Sequence, residues 1–569
     1  MKKHYVAIFS LILCLCANTL VHAQGTWTPV YAPAPDSNLG GMMLLSDGRV
    51  MCKTSAGGTD GYGNTWNVLT PDIHGSYANG TWSTIAQMHD TRLYYSSQML
   101  RDGRIYMAGG EYGSGRANSE IYDPLADAWK LSPVSYDTFY DANSNMLPDG
   151  RVLQQLLMGN YLTNAIFEPT TSTYSPAGSC HGYPSEAAWL QLPDNSVLFN
   201  DLYTNNSERF IPKINTWVTD AVIPDTIWGY DETGGALLLP NGKGIFFGAS
   251  GHTALYTPSG NTSPGHWVAG PDFPNGGGDA DAPAAAMANG KVLCMAAPKP
   301  TSYTNVFLSP TSFYEYDYVT NTFSYIAPPF GLDTNTVNFV FTMIDLPDGT
   351  VMLSEQGSQE YFIYTPSGPQ LASGKPSIDS IVEQSCGTYM ITGELFNGLD
   401  QGATYNDDFQ NYTNYPIVRL TSNGNVYYAR SYNWNHTGVM TDSLEDTAYF
   451  TVPATLPAGT YWLTVSANGI SSDSIPFTPC IPAAIHEIAN THALSIQPNP
   501  SNGKFIVRYD GTEPLTMQVY NVLGENIYQT NLNTGSNSID ISNSPAGVYM
   551  YRTCTKQGKL VESGKLVIQ

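Results

Sequence analysis

The stretch "LPDGRVLQQ" runs from Leu147 to Gln155, and close relatives of it return along the chain. "LSDGRVMCK" starts at Leu45, "LRDGRIYMA" at Leu100, "LPDNSVLFN" at Leu192, "LPNGKGIFF" at Leu239, "MANGKVLCM" at Met287 and "LPDGTVMLS" at Leu346. The fourth residues are Gly48, Gly103, Gly150, Asn195, Gly242, Gly290 and Gly349, spaced by 55, 47, 45, 47, 48 and 59 residues. A repeat of this length predicts a propeller or an array of supersecondary units. Asp or Asn followed by Gly tolerates the positive φ of a tight hairpin, so each copy reads as a turn entering a strand.

Two further landmarks accompany the turn. About twenty residues on comes an aromatic or apolar residue before a Pro, at Pro71, Pro124, Pro169, Pro212, Pro258 and Pro366; the sixth copy, "YEYDY" from Tyr314, lacks the Pro. Then comes an aromatic in a short strand: Trp82, Trp129, Tyr174, Trp217, Trp267 and Phe323. Each repeat thus supplies the several short strands of one propeller blade. The low charged fraction, 13%, and abundant Gly, Pro, Tyr and Asn fit many short strands joined by turns. The seventh repeat has no third landmark, but "GTWTPV" from Gly25 has the missing form. The sequence predicts that this N-terminal strand, with Trp27, completes the blade of Gly349 and closes the ring. The strand pattern, the spacing and the "AGG" at Ala108–Gly110 resemble Kelch repeats. That resemblance covers residues 24–370 and implies an all-β fold, a seven-bladed Kelch-type β-propeller.

Beyond it, "YPIVRL", "VYYARSY", "TAYFTV" and "GTYWLTV" alternate as strands, and residues 375–480 read as an immunoglobulin-like β-sandwich. Cys386 and Cys480 bracket this segment and can pair; Cys52, Cys180, Cys294 and Cys554 read as thiols, and no C-x-x-C suggests zinc. A Kelch propeller followed by such a sandwich resembles the galactose oxidase layout. Residues 481–493 read as a linker. The last segment, 494–569, carries "LSIQPNPSNGKFIVRY", "MQVYNVLGENIYQT", "SIDISNSPAGVYMYRT" and "GKLVIQ" in order. By itself it reads as a small C-terminal β-sandwich. It resembles the C-terminal sorting domain of the type IX secretion system of Bacteroidota, which implies that machinery as a partner and a secreted or outer-membrane-surface location. At the other end, Lys2 and Lys3, an apolar run and Val21-His22-Ala23 mark residues 1–23 as a signal peptide. No other stretch is long enough to span a bilayer.

A net charge of -24 argues against nucleic acid or an anionic membrane as partner. The galactose oxidase resemblance implies a copper–radical site, and this chain departs from it at specific positions. Where the family has its cross-linked Cys, this chain has "RLYYSSQMLRDG", with Tyr94 nearby and no Cys. Where the family has Tyr-His, this chain has Phe339 and Val340, neither of which carries a ligand atom. His436, in "YNWNHTGV", is the candidate for the sandwich His that the resemblance implies. Two lost ligands argue against copper.

The same repeats point to a different site. Eight residues before each turn's Asp or Asn stand Leu39, Tyr94, Asp141, Glu186, Thr233, Asp281 and Val340, with Glu232 one step away and Arg92 and Trp228 near in sequence. These segments lead into inner strands and should converge at one mouth of the channel. Carboxylates, an Arg and aromatics around a concavity suit a sugar or a hard cation such as Ca²⁺. The competing view of the acids is that they cap turns. The expectation is an exported recognition protein for carbohydrate or a surface partner. The rivals are a glycan-active enzyme using these carboxylates and a structural surface protein. The chain lacks G-x-S-x-G, H-E-x-x-H and P-loop motifs, and "GGGDADAP" from Gly276 reads as a loop.

Overall fold

A computed structural model of the chain describes residues 24–481 and 494–569, apart from 133–137, 142, 158–161, 407, 510, 512–513 and 557–559. Residues 1–23, read from sequence as a signal peptide, and all of the expected linker 481–493 but Ile481 lie outside the described residues. The chain divides into two compact units, Met1–Pro482 and Ala483–Gln569. Among the described residues the secondary structure is strand, with four short 3-10 turns.

Each D-G copy forms the hairpin it predicts. In the first, Asn38–Leu44 pairs with Val50–Thr54, then Trp66–Thr70, then Thr81–Thr84, all antiparallel. The turn is held the same way in all seven copies: the side chain of Asp47, Asp102, Asp149, Asp194, Asn241, Asn289 or Asp348 accepts the backbone N–H two residues on. The following residue then takes a left-handed conformation, with φ from 77° to 88° at the glycines and 68° at Asn195. Asn can replace Gly there because its short polar side chain tolerates that region.

The next five sheets repeat this order, and in the seventh the strands run Phe341–Asp345, Val351–Glu355, Tyr361–Thr365 and Thr26–Pro29. Trp27 stands opposite Tyr364, packs on it at 4.7 Å and meets Phe313 at 5.6 Å. The ring is closed by this pairing, as the missing aromatic strand predicts. The innermost strand of each sheet from the second on neighbours that of the next, and the seventh returns to the first. Apolar cores lie between adjacent sheets. Leu190 and Leu198 of the fourth, for example, pack with Phe246, Tyr256 and Trp267 of the fifth. The recurring aromatic is the outer-strand cap of these cores: Trp217 and Trp267 are buried against aromatics of their own sheets.

The sandwich continues the same unit. Its strands pair in the order Ser377–Ser385, Thr388–Glu394, Asp446–Thr451, Asn425–Tyr432, Ile417–Ser422 and Tyr461–Ala467. Cys386 and Cys480 form a disulfide; Cys52, Cys180 and Cys294 are buried thiols and Cys554 is half-buried. The sandwich rests on the D-G turn end of the propeller, where Val426 N–H donates to Ile73 O at 2.7 Å and Arg101 Nη1 donates to Asn435 O at 2.7 Å.

One segment of the sandwich, residues 397–415, leaves that end and enters the propeller channel. Ala403–Thr404 adds to the sixth sheet beside Ala284 and Ala285. The amides of the segment replace the pairing that inner strands lack. Gln410 Oε1 accepts from Ser97 N–H at 2.8 Å, Gln401 Oε1 from Gln191 N–H at 3.0 Å, and Asn411 donates to Met343 O at 2.9 Å. A channel lined by strand edges is filled here by side-chain amides, which satisfy backbone donors and acceptors of those edges.

The second unit holds two sheets, one of Leu494–Gln497, Lys504–Tyr509 and Gly535–Asp540, the other of Asn526–Leu532, Leu515–Tyr520, Gly547–Cys554 and Leu560–Ile568. Period-two alternation buries Phe505, Val507 and Tyr509 while Lys504, Ile506 and Arg508 face out. Met517, Val519, Ile539 and Leu566 complete a core of its own.

Candidate functional site

The inner strands of the propeller begin at the mouth opposite the D-G turns. The residues just before them carry an unusual backbone. Tyr94, Tyr140, Glu186, Tyr230, Asp231 and Asp281 are all left-handed, with φ between 50° and 71°. That conformation is costly for residues other than Gly and gathers where side chains are aimed for a purpose. Of these, Tyr94, Glu186 and Asp281 line one cavity of about 480 Å³.

Among the described residues, six carboxyl groups line this cavity: Glu111, Asp141, Glu186, Glu232, Asp281 and Asp408. Tyr62, Tyr94, Tyr112, Tyr405, Phe307 and Phe339 form its walls, with Leu93. Among the described residues the lining holds no Lys, Arg, His or Cys. Tyr62 stacks on Tyr112 at 5.3 Å, Tyr94 stacks on Tyr405 at 6.2 Å, and Phe307 meets Phe339 at 4.7 Å. Tyr405 donates its hydroxyl to Phe339 O at 2.7 Å.

The acids are brought close enough to shift one another. Burial raises Asp141, whose carboxyl faces those of Asp408 and Glu186. Burial also raises Asp281; a hydrogen bond from Asn406 Nδ2 at 2.9 Å opposes the rise, the Asp141 charge adds to it, and Glu232 lies against the same carboxyl. Glu111 is pushed up to about 7, by burial first and then by the Asp141 charge. Desolvation and like charge both disfavour ionisation, so proton uptake or a cation relieves the crowding of these acids. One oxygen from each of Glu186, Glu232 and Asp281 lies within 4.8 Å of the others.

The structure sorts the residues singled out from sequence. Tyr94, Asp141, Glu186, Glu232 and Asp281 meet in the cavity. Arg92 does not: it is fully buried, donates to Gly109 O, Gly115 O and Asn118 O at 2.6–2.8 Å and pairs with Glu120 at 3.2 Å. Two residues before Tyr94, it points into its own blade and ties a loop. Trp228 is half-buried and is not among the lining residues. His436 Nε2 lies against Asp446 Oδ1 within the sandwich, and the neighbouring Thr437 hydroxyl donates to Leu147 O at the D-G turn end. The segment that does reach the mouth from the sandwich is 397–415, and it brings Tyr405 and Asp408.

Sequence reading missed Glu111, Tyr112, Tyr62, Phe307, Tyr405 and Asp408. A signal existed for Glu111 and Tyr112, which follow directly on the "AGG" loop leaving the second strand of a blade. Tyr405 and Asp408 sit outside the repeats and have no copy to align with. Phe339, which the sequence marks only as a lost ligand, stands in the cavity wall. The donor set does not fit the copper centre of the galactose oxidase resemblance, which needs imidazole as well as phenolate.

No curated protein matches the chain. Among solved structures it is similar to a fungal alcohol oxidase of the AA5 family in complex with copper, at 15% identity, covering 81% of this chain and 99% of that one, with a TM-score of 0.49. It is also similar to virginiamycin B lyase from Staphylococcus aureus, at 10% identity, covering 60% of this chain and 100% of that one, with a TM-score of 0.42. A catalytically inactive form of that lyase with quinupristin gives 11% identity, the same coverage and a TM-score of 0.43. The propeller assignment rests on the strand pairing itself. At the C-terminus, residues 495–569 match the model of a secretion system C-terminal sorting domain. No helix among the described residues is long and apolar enough to cross a membrane. The chain therefore ends in a type IX sorting domain, the address of a protein exported to the cell surface or beyond.

Proposed function

We propose that this exported protein recognises carbohydrate at the mouth of its propeller. The observation that carries the reading is the cavity in which six carboxyl groups lie between stacked tyrosines and phenylalanines. Carboxylates accept hydrogen bonds from sugar hydroxyls, and aromatic faces cover the apolar C–H faces of a pyranose. Tyr94 and Tyr405 are the stacking pair in this reading, and Asp141, Glu186, Glu232 and Asp281 the hydroxyl acceptors. The volume, about 480 Å³, suits one or two sugar rings.

The test is binding of the mature chain to an array of glycans, with each bound glycan then incubated and its products separated by chromatography. Retention of a defined glycan without product, reduced about tenfold or more by Tyr94→Ala or Tyr405→Ala, is expected; loss of one stacked ring costs about 1–2 kcal/mol. Retention by neither the chain nor its variants sinks the reading and leaves a structural surface protein. One observation favours a second reading, a glycan-active enzyme: Glu111 is pushed up to about 7 beside other carboxyls, which suits a proton donor paired with an ionised partner. Product release from a bound glycan would establish that reading in place of the first.

A further inference from the structure

The acids at the mouth raise a question that sugar recognition alone leaves open, which is what holds them together. Asp141 is 6% exposed and lines the cavity, and its Oδ1 has no hydrogen-bond donor among the described residues. The side chains it faces are carboxyls, those of Asp408 and Glu186. An acceptor enclosed by acceptors is satisfied by a shared proton or by a shared cation. Next to it, Glu186, Glu232 and Asp281 each offer an oxygen within 4.8 Å of the others. Oxygens that far apart or nearer can share one ion at bonds of about 2.4 Å.

We propose that Glu186, Glu232 and Asp281 form a calcium site at the propeller mouth, with Asp141 beside it as a further carboxylate. This deepens the recognition reading, on which its sugar arm rests, because a calcium ion can also take two sugar hydroxyls into its coordination shell. The donor set is all oxygen, which selects a hard cation over copper or zinc. Calcium accepts six to eight oxygens in a loose geometry, whereas magnesium demands a near-octahedral one, and these three carboxyls arrive from three different blades. The site is also pre-organised. Asn406 donates to Asp281 Oδ1 at 2.9 Å and to Glu186 O at 3.3 Å, and its Oδ1 accepts from Thr233 Oγ1 at 3.2 Å. The left-handed backbones of Glu186 and Asp281, both at φ 54°, turn their side chains inward. An exported protein meets calcium outside the cell, where modules bind it at roughly 10⁻⁴–10⁻³ M.

The experiment uses the mature full-length chain, stripped with chelator and titrated with CaCl₂ by calorimetry. Terbium serves as a second probe, because tyrosines next to the ion sensitise its luminescence and Tyr94 and Tyr405 line the same cavity. One saturable calcium site per chain is expected, with terbium emission that calcium displaces. Glu232→Gln and Asp281→Asn should each weaken calcium by about tenfold or more. If a variant fails to fold, the wild-type titration still decides. No saturable uptake by the stripped wild type, or calcium affinity unchanged in both folded variants, overturns the site. Calcium uptake without any glycan retention supports the site and refutes the sugar reading. Glycan retention by a chain that takes up no calcium supports the sugar reading and overturns the site.

Discussion

Acids raised by burial lie along the channel as well as at its mouth. Asp345, at the end of an inner strand, is 2% exposed, and neither of its oxygens has a hydrogen-bond partner among the described residues. Burial raises it well above the ordinary carboxylate range, and the charge of Asp400 adds to the rise. Asp400, on the threaded segment, is pushed up to about 8 by burial, against a hydrogen bond from Gly402 N–H. A raised acid is protonated in the folded chain where the unfolded chain has released its proton. The folded state then binds more protons, so stability falls as pH rises from the ordinary carboxylate range toward the folded value. Each pH unit crossed costs about 1.4 kcal/mol per such group. The melting temperature should therefore decline between about pH 5 and pH 8, and Asp345→Asn should flatten the decline, since its amide does not titrate in that window. Thermal melts across that window check this; a wild-type melting temperature that stays flat or rises removes the account. At this scale the sequence is readable where the repeat copies a position. Asp141, Glu186 and Asp281 share one offset from their turns and meet in one cavity. Arg92 shows the limit, because nearness in sequence does not tell which way a residue faces.

At the scale of elements, the propeller and its closure were legible and the segment inside it was not. Seven turn motifs and six outer-strand aromatics mark the blades, and the lone "GTWTPV" marks the strand that closes them. Residues 397–415 carry no repeat, and their polar composition reads like any loop of a sandwich. Only folding shows that Gln401, Gln410 and Asn411 are the buried amides that satisfy the inner strands. The channel must leave room for this segment, and Gly40 shows how narrowly it does. Gly40 has φ 86°, and a Cβ there would stand 2.5 Å from the ring of Phe409. Gly40→Ala should lower stability by about 1–3 kcal/mol, from left-handed strain and from displacement of that ring. Gly368→Ala is the control, since Gly368 has φ 85° and nothing within 4 Å of its would-be Cβ. It should lose only the backbone contribution. Limited proteolysis reads the difference: cleavage within 397–415 should quicken in Gly40→Ala and not in Gly368→Ala. Equal protection in both variants would mean that the ring moves freely and the segment is not held at Phe409.

At the scale of the whole molecule, two units with separate cores divide two jobs. The first unit owns the channel, the cavity at its mouth and the sandwich segment that fills the channel. The second owns Phe505, Val507, Met517, Val519, Ile539 and Leu566, a core that draws no residue from the first. A domain with its own core can be removed without exposing another domain's apolar surface. Removing residues 494–569 should therefore leave the melting transition of the first unit within about 1 °C of its value in the full chain, since each unit buries a core of its own. The sorting domain is the export address, so the same truncation should stop the protein inside the cell. Fractionation of the producing cells, with calorimetry on the purified truncated chain, measures both effects at once. Delivery of the truncated chain to the surface would show that another signal exports it, and a collapsed melting transition would show that the two cores depend on each other. If both expectations hold, the calcium and glycan titrations can be repeated on the truncated chain, and any binding retained there belongs to the propeller and not to the export address.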